Sequence, residues 1–192
     1  NVISVVNPQQ QVSYDWSSEN RLIAATTTDS TGNQNIQYQY DANGVRVASI
    51  VDGEETRYLI DANRYYPQVL EEYKPTGEVI KNYTYGSDLL SLSQDGESSF
   101  YLYDGYSGVR QVSNELGEVT ETYSYDAYGR LLNSTGSTEN DYLYQGEQFD
   151  SNLDLQYLRA RYYDPNTGRF AGVDPLEGLL EQPMSRHRYI YG

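Results

Sequence analysis

The sequence predicts an all-β fold, consecutive antiparallel hairpins joined into one curled, spiralling sheet. Three observations carry that reading. A tyrosine-rich tetrad recurs about every twenty residues, the kind of period seen in stacked repeat architectures. Residues within each tetrad alternate with the period of a strand, and Asp, Asn and Gly follow at turn positions. Helix-compatible apolar spacing is confined to residues 174–185, where Leu176, Leu179 and Leu180 predict a turn or two before Pro183.

The copies run Ser13-Tyr14-Asp15, Tyr38-Gln39-Tyr40-Asp41, Tyr58-Leu59-Ile60-Asp61, Tyr83-Thr84-Tyr85-Gly86, Tyr101-Leu102-Tyr103-Asp104, Tyr123-Ser124-Tyr125-Asp126, Tyr142-Leu143-Tyr144-Gln145 and Arg161-Tyr162-Tyr163-Asp164. Each reads as a strand with its rings on one face. The closing Asp accepts a backbone N–H two residues on, and a Gly after it supplies the positive φ that re-enters the next strand. Arg21, Arg46, Arg110 and Arg130 begin or precede the return strands. A second set of turns, at Asp52-Gly53, Thr76-Gly77, Asp95-Gly96 and Leu116-Gly117, closes the hairpins on the far side. A lone hairpin is unstable in water, so the copies must pair edge to edge. Residues 1–150 are expected to form the hairpin array and residues 151–192 to continue the same sheet, the whole making a single structural domain.

Composition restricts function. The 192 residues hold 22 Tyr against 3 Phe, 1 Trp, 1 Met and no Cys. A core of Tyr needs hydrogen-bond partners at its ring tips, which favours thin layers. With 28 acidic and 13 basic residues the net charge is −15, which opposes binding to nucleic acid or anionic lipid. The absence of Cys excludes thiolate metal sites and nucleophiles. No apolar run reaches the length of a membrane-spanning helix. The start of the chain has no basic flank before Val2 to Val6 and is expected to be an excised position within a longer pattern rather than a signal peptide.

Arg159-Ala160-Arg161-Tyr162-Tyr163-Asp164-Pro165-Asn166-Thr167-Gly168-Arg169-Phe170, followed by Asp174-Pro175, resembles the Rhs-associated core signature. Tyr101-Leu102-Tyr103-Asp104-Gly105 with Gly108-Val109-Arg110, and Tyr144-Gln145-Gly146-Glu147-Gln148-Phe149-Asp150, resemble the last repeats that lead into it. The chain is thereby similar to the YD-repeat proteins: bacterial Rhs proteins, the C subunits of Tc toxin complexes, and the teneurins. The resemblance implies a YD-shell-like fold, a secreted or cell-surface protein of bacterial origin, and a structural wall that encloses or presents a C-terminal effector or toxin. Its partners would be the remainder of the parent chain or that effector. Independently of the resemblance, an open sheet exposes two edges, and exposed edges invite self-association. The core-motif residues expected to assemble the C-terminal end are Arg159, Arg161, Tyr162, Tyr163, Asp164, Pro165, Gly168, Arg169, Phe170, Asp174 and Pro175. Arg161 and Arg169 are expected to be buried or half-buried partners of turn acids.

Chemistry-bearing groups are sparse. Asp164 and Asp174 are a carboxylate pair able in principle to share a proton. The resemblance implies a self-cleavage role for Asp174 only in a longer chain, whereas Asp-Pro alone is an ordinary turn initiator. His187 stands alone, without a Gly-x-Ser-x-Gly elbow, and no calcium-loop pattern occurs. The chain is read as no enzyme, with no cofactor and no metal. The sequons at Asn82 and Asn133 matter only in a eukaryotic secretory route. The alternative is an adhesion module binding carbohydrate or protein, with Tyr65 and Trp16 as the rings freest to make contact.

Overall fold

The computed structural model describes residues 1–6, 10–137, 139–174 and 188–189. Thirteen strands form one sheet in sequence order: β1 (Ser4–Val6), β2 (Gln10–Trp16), β3 (Leu22–Asp29), β4 (Gly32–Tyr40), β5 (Arg46–Val51), β6 (Glu54–Asp61), β7 (Gln68–Tyr73), β8 (Val79–Tyr85), β9 (Leu89–Gln94), β10 (Glu97–Tyr103), β11 (Val109–Ser113), β12 (Val119–Tyr125) and β13 (Leu131–Thr135). The order does not close on itself. The helical turn expected over 174–185 and the lone His187 lie outside the described residues.

Strand alternation selects one buried face. Val12 and Tyr14 are buried while Gln11, Ser13 and Asp15 are exposed, and Ile36 and Tyr38 repeat this against Gln37 and Gln39. The alternation breaks near strand ends, at Glu72/Tyr73 and Val112/Ser113 on one side and repeatedly on the other. In β2, β4, β8, β10 and β12 the register shifts just before the last aromatic residue, at Asp15/Trp16, Gln39/Tyr40, Thr84/Tyr85, Leu102/Tyr103 and Ser124/Tyr125. β6 shifts at Leu59/Ile60. The extra residue sits on the return strand, as with Leu90 between Leu89 and Ser91, or Arg110 between Val109 and Gln111. Such a bulge bends the strand and increases its twist. It also sends residues three apart to one face, which is how Leu22 with Ala25, Leu89 with Leu92 and Val109 with Val112 are all buried.

The turns follow the chemistry read from the sequence. Asp104 Oδ1 accepts the backbone N–H groups of Tyr106 (2.9 Å) and Gly108 (3.0 Å). Asp41 and Asp126 repeat the pattern at their own turns. The carboxyls of Asp104 and Asp126 are held below the usual carboxylate range, Asp104 through the Tyr106 N–H and Arg110, and Asp126 because desolvation, the largest single effect on it, is outweighed by the Tyr128 and Arg130 N–H groups and the Arg130 guanidinium together.

The C-terminal segment departs from the expected continuation of the sheet. β14 (Gln148–Asp150), β15 (Leu155–Leu158), β16 (Arg161–Asp164) and β17 (Arg169–Phe170) form a separate four-stranded sheet. The seventh tetrad is no wall strand either: Tyr142 makes an isolated bridge to Gln148, and Tyr144–Gly146 form a short 3-10 turn. The reason is burial on both sides. Tyr142 with Leu143, Leu155 through Tyr157, and Tyr162 with Tyr163 are buried at successive positions, which a wall strand with one solvated face cannot provide.

The chain forms two compact units, Asn1–Glu54 with Asp150–Gly192, and Glu55–Phe149. In the first, Val12, Tyr14, Leu22, Ile36 and Tyr38 of the wall share a core with Leu153, Leu155, Tyr157, Tyr162 and Ala171. In the second, Tyr83, Leu89, Leu92, Tyr101, Val109, Val112, Tyr123 and Tyr125 share a core with Tyr142 and Leu143. In each unit a later segment therefore lines the tyrosine face of its own wall strands.

Candidate functional site

The most heavily constrained polar cluster is centred on Arg46, the first residue of β5, which points into the core of the first unit. Its side chain is 3% exposed and its partner Asp150, at the end of β14, is 7% exposed. Arg46 Nη1 donates to Asp150 Oδ2 at 3.1 Å and to Tyr162 Oη at 2.8 Å. Tyr38 Oη donates to the same Asp150 oxygen at 2.5 Å, and the Arg46 backbone N–H donates to Tyr157 Oη at 2.9 Å. The guanidinium carbon lies 4.4 Å from the Tyr157 ring centroid and 5.1 Å from that of Tyr38. A buried charge is tolerated only when paired and hydrogen-bonded, and here wall and liner each supply part of that pairing. Burial pushes the Tyr162 phenol well above its ordinary value, with Arg46 opposing; Tyr157 is raised in the same way.

The second unit carries a smaller counterpart. Lys81 of β8 donates from Nζ to Asp141 Oδ2 at 2.7 Å, with a side chain 6% exposed. Burial draws the Lys81 ammonium down, but Asp141 and Glu72 outweigh it and hold it above its ordinary range. Tyr83 Oη donates to Glu72 Oε1 (2.7 Å), Tyr101 Oη donates to Asn140 Oδ1 (2.8 Å), and the Val109 N–H donates to the Leu143 carbonyl (3.1 Å). The Tyr83 and Tyr142 rings meet edge to face at 5.0 Å.

The core-motif residues divide by role. Tyr162, Tyr163, Pro165 and Phe170 are buried. Arg161 pairs with Asp174 at 2.9 Å, its guanidinium carbon 3.5 Å from the Phe170 ring centroid. Asp164 caps its turn by accepting from the Asn166 N–H and the Thr167 hydroxyl, and Gly168 takes the positive φ of that turn. Arg159 adopts a left-handed backbone between β15 and β16. Arg169 corrects the expectation: it is exposed, because in two-residue β17 its neighbour Phe170 takes the inward position. Pro175 lies outside the described residues. Burial, and then Asp164 and Asp150, push the Asp154 carboxyl up.

Of the two rings expected to be free, Tyr65 is exposed, whereas Trp16 is not. Its indole N–H donates to the Val2 carbonyl at 2.6 Å, and its ring packs on the first core. Sequence reasoning missed Arg46 as a lock, Asp150, and the Lys81–Asp141 pair. The only available signal was an acid just before each lining stretch, Asp141 and Asp150. Among the described residues no cluster of His, Cys, Asp or Glu could hold a metal ion.

A bulged hairpin wall lined by a later segment, locked by buried cation–carboxylate pairs, is a shell-type architecture. Residues 5–189 match the family model of the teneurin YD-shell, and the chain belongs to that family. It is 35% identical over 184 residues to the tRNA3(Ser)-specific nuclease WapA of Bacillus spizizenii, covering 93% of this chain and 8% of that protein. It is 23% identical over 206 residues to double-stranded DNA deaminase toxin A of Burkholderia cenocepacia, covering 88% of this chain and 14% of that protein. The crystal structure of TcdB2-TccC3 superposes with a TM-score of 0.68 at 16% identity, over 93% of this chain and 10% of that one, a likeness of fold. The chain thus spans under a sixth of each of these relatives and is a shell-type segment of a toxin-associated family.

Proposed function

We propose that this chain is a non-catalytic wall-and-liner segment of a secreted or surface-displayed bacterial YD-repeat protein, which encloses or presents an effector that follows it. The observation that carries this reading is the buried Arg46–Asp150 pair, which ties the lining sheet to the wall across 104 residues of sequence. A chemical site would leave polar groups facing a cleft; here they face one another. The engagement of Asp174 with Arg161 supports a structural role for that acid as well.

The test uses a longer chain containing this segment and the polypeptide after it. Under limited proteolysis the downstream polypeptide is expected to be protected in the native chain and cleaved at least several-fold faster in Tyr38→Phe, which weakens the lock while leaving the ion pair. Equal cleavage in both overturns the proposal. Cleavage of the chain after residue 192 that vanishes in Asp174→Asn would instead establish self-processing.

A further inference from the structure

The chain holds two lysines against eleven arginines. Lys74 lies at an exposed turn beside Glu78, whereas Lys81 is buried on the inner face of β8, where wall and lining segment of the second unit meet. Arginine suits a buried ion pair, because its guanidinium keeps its proton and grips a carboxylate in a fork. The Arg46–Asp150 lock of the first unit uses it. A lysine brings a different property to the corresponding lock of the second unit. Once its proton is given up, the amine is a nucleophile.

Lys81 Nζ lies 2.7 Å from Asp141 Oδ2 across 60 residues of sequence. That contact leaves the carboxyl carbon near the separation of a near-attack conformer, about 3–3.5 Å. Asp141 is held from both sides. Its carbonyl accepts the Phe149 N–H at 2.6 Å, and Oδ1 of the adjacent Asn140 accepts the Tyr142 N–H at 2.9 Å and the Tyr101 hydroxyl at 2.8 Å. A second carboxylate accompanies the pair. Glu72 of β7 stands directly opposite Lys81 in the register, with Cβ atoms about 4.5–5.5 Å apart on one face. Glu72 is 7% exposed, and its Oε1 is fixed by the Tyr83 hydroxyl at 2.7 Å. The buried rings of Tyr83 and Tyr142, edge to face at 5.0 Å, shield the cluster.

We infer that Lys81 and Asp141 condense into an isopeptide bond, which joins wall strand β8 covalently to the lining segment. Before the bond forms, the two groups are the ion pair described above. A proton passes from Nζ to Oδ2 along their hydrogen bond, giving a neutral amine and a carboxylic acid, a transfer that burial favours because it removes two charges from a poorly solvated site. Nζ then attacks the carboxyl carbon. Glu72 takes a second proton from the nitrogen and delivers it to the departing hydroxyl. The carbon–nitrogen bond forms, the carbon–oxygen bond breaks, one water leaves and Glu72 is regenerated, with no oxidant or other reactant consumed. Groups oriented in this way reach effective molarities of about 10⁵–10⁸ M. Arg46–Asp150 cannot follow this course because the guanidinium does not give up its proton. Lys74 and Glu78 are solvated, at 50% and 63% exposure. The inference rests on the wall-and-liner reading, and its failure would leave the ion pair of that reading in place.

The test is intact-mass spectrometry of the 192-residue chain after incubation at neutral pH, with circular dichroism reporting the β fold. The folded chain is expected to be lighter than its sequence by one water, and digestion is expected to yield a branched peptide joining Lys81 to Asp141. A protease site inserted in the exposed Asp95-Gly96 turn supplies a second readout. After cutting, the two fragments are expected to migrate as one band in denaturing gels, and the absence of cysteine excludes a disulfide as the link. Lys81→Arg, which keeps the charge and the contact with Asp141, is expected to have the full mass and to give two bands. Glu72→Gln, which retains an acceptor for Tyr83, is expected to form the bond about a hundredfold more slowly. A folded native chain of full mass overturns the inference. So does a lost water that persists in Lys81→Arg, as a succinimide at an Asp–Gly turn would produce. An undiminished rate in Glu72→Gln overturns the role given to Glu72.

Discussion

Arg46 is the residue on which the first unit most depends, because its charge has been removed from water and its compensation comes from four separate groups. Removing one partner of such a pair leaves the other charged and buried. Arg46→Met is therefore expected to destabilise the protein by about 3–5 kcal/mol, measured by urea denaturation, with amides of β15 and β16 losing hydrogen-exchange protection first. If β15 and β16 remain as protected as the wall strands, the lock is not what holds them. The sequence made Arg46 visible only as the start of a return strand. Its burial depends on Asp150, Tyr157 and Tyr162, which are more than a hundred residues away, and no local pattern reports a partner at that range.

Among the elements, the repeated hairpin was legible because its signals are local: alternation, an acid at the first turn position, and Gly where φ is positive. The bulges were not, since an extra residue on a return strand looks in sequence like ordinary spacing. One prediction separates turn strain from lining contacts. Gly117 and Gly129 both have positive φ, at 79° and 85°. A Cβ at Gly117 meets open space, whereas one at Gly129 overlaps the Tyr144 ring of the lining segment. Each Gly→Ala is expected to cost about 1–2 kcal/mol for the left-handed backbone. Gly129→Ala costs measurably more in thermal unfolding, and the excess disappears in a Tyr144→Ala background. Equal losses in the two variants would place Tyr144 elsewhere.

Across the whole molecule, buried tyrosines share the core with aliphatic side chains, and this gives the fold an alkaline limit. Burial raises Tyr83, Tyr101, Tyr142 and Tyr162 well above the ordinary phenol range and pushes Tyr14 up to about 12. A group whose folded value is raised contributes stability that is complete below its unfolded value, near 10 for Tyr, and is lost as pH climbs toward the folded one. Lys81 acts in the same direction. Stability is expected to be flat from neutral pH to about 9 and then to fall steeply. A step in tyrosinate absorbance should coincide with loss of the β signal in circular dichroism; a gradual titration with no loss of structure would refute this. The sequence by itself determined the hairpin repeat, the tyrosine face and the family resemblance, because strand period, turn geometry and motif are all written within a few residues. Only the tertiary structure decided that the last two tetrads leave the wall to line it, because Tyr142 and Tyr162 use the same residue types as wall strands. What differs is burial on both sides, a property of the surroundings that the chain acquires on folding.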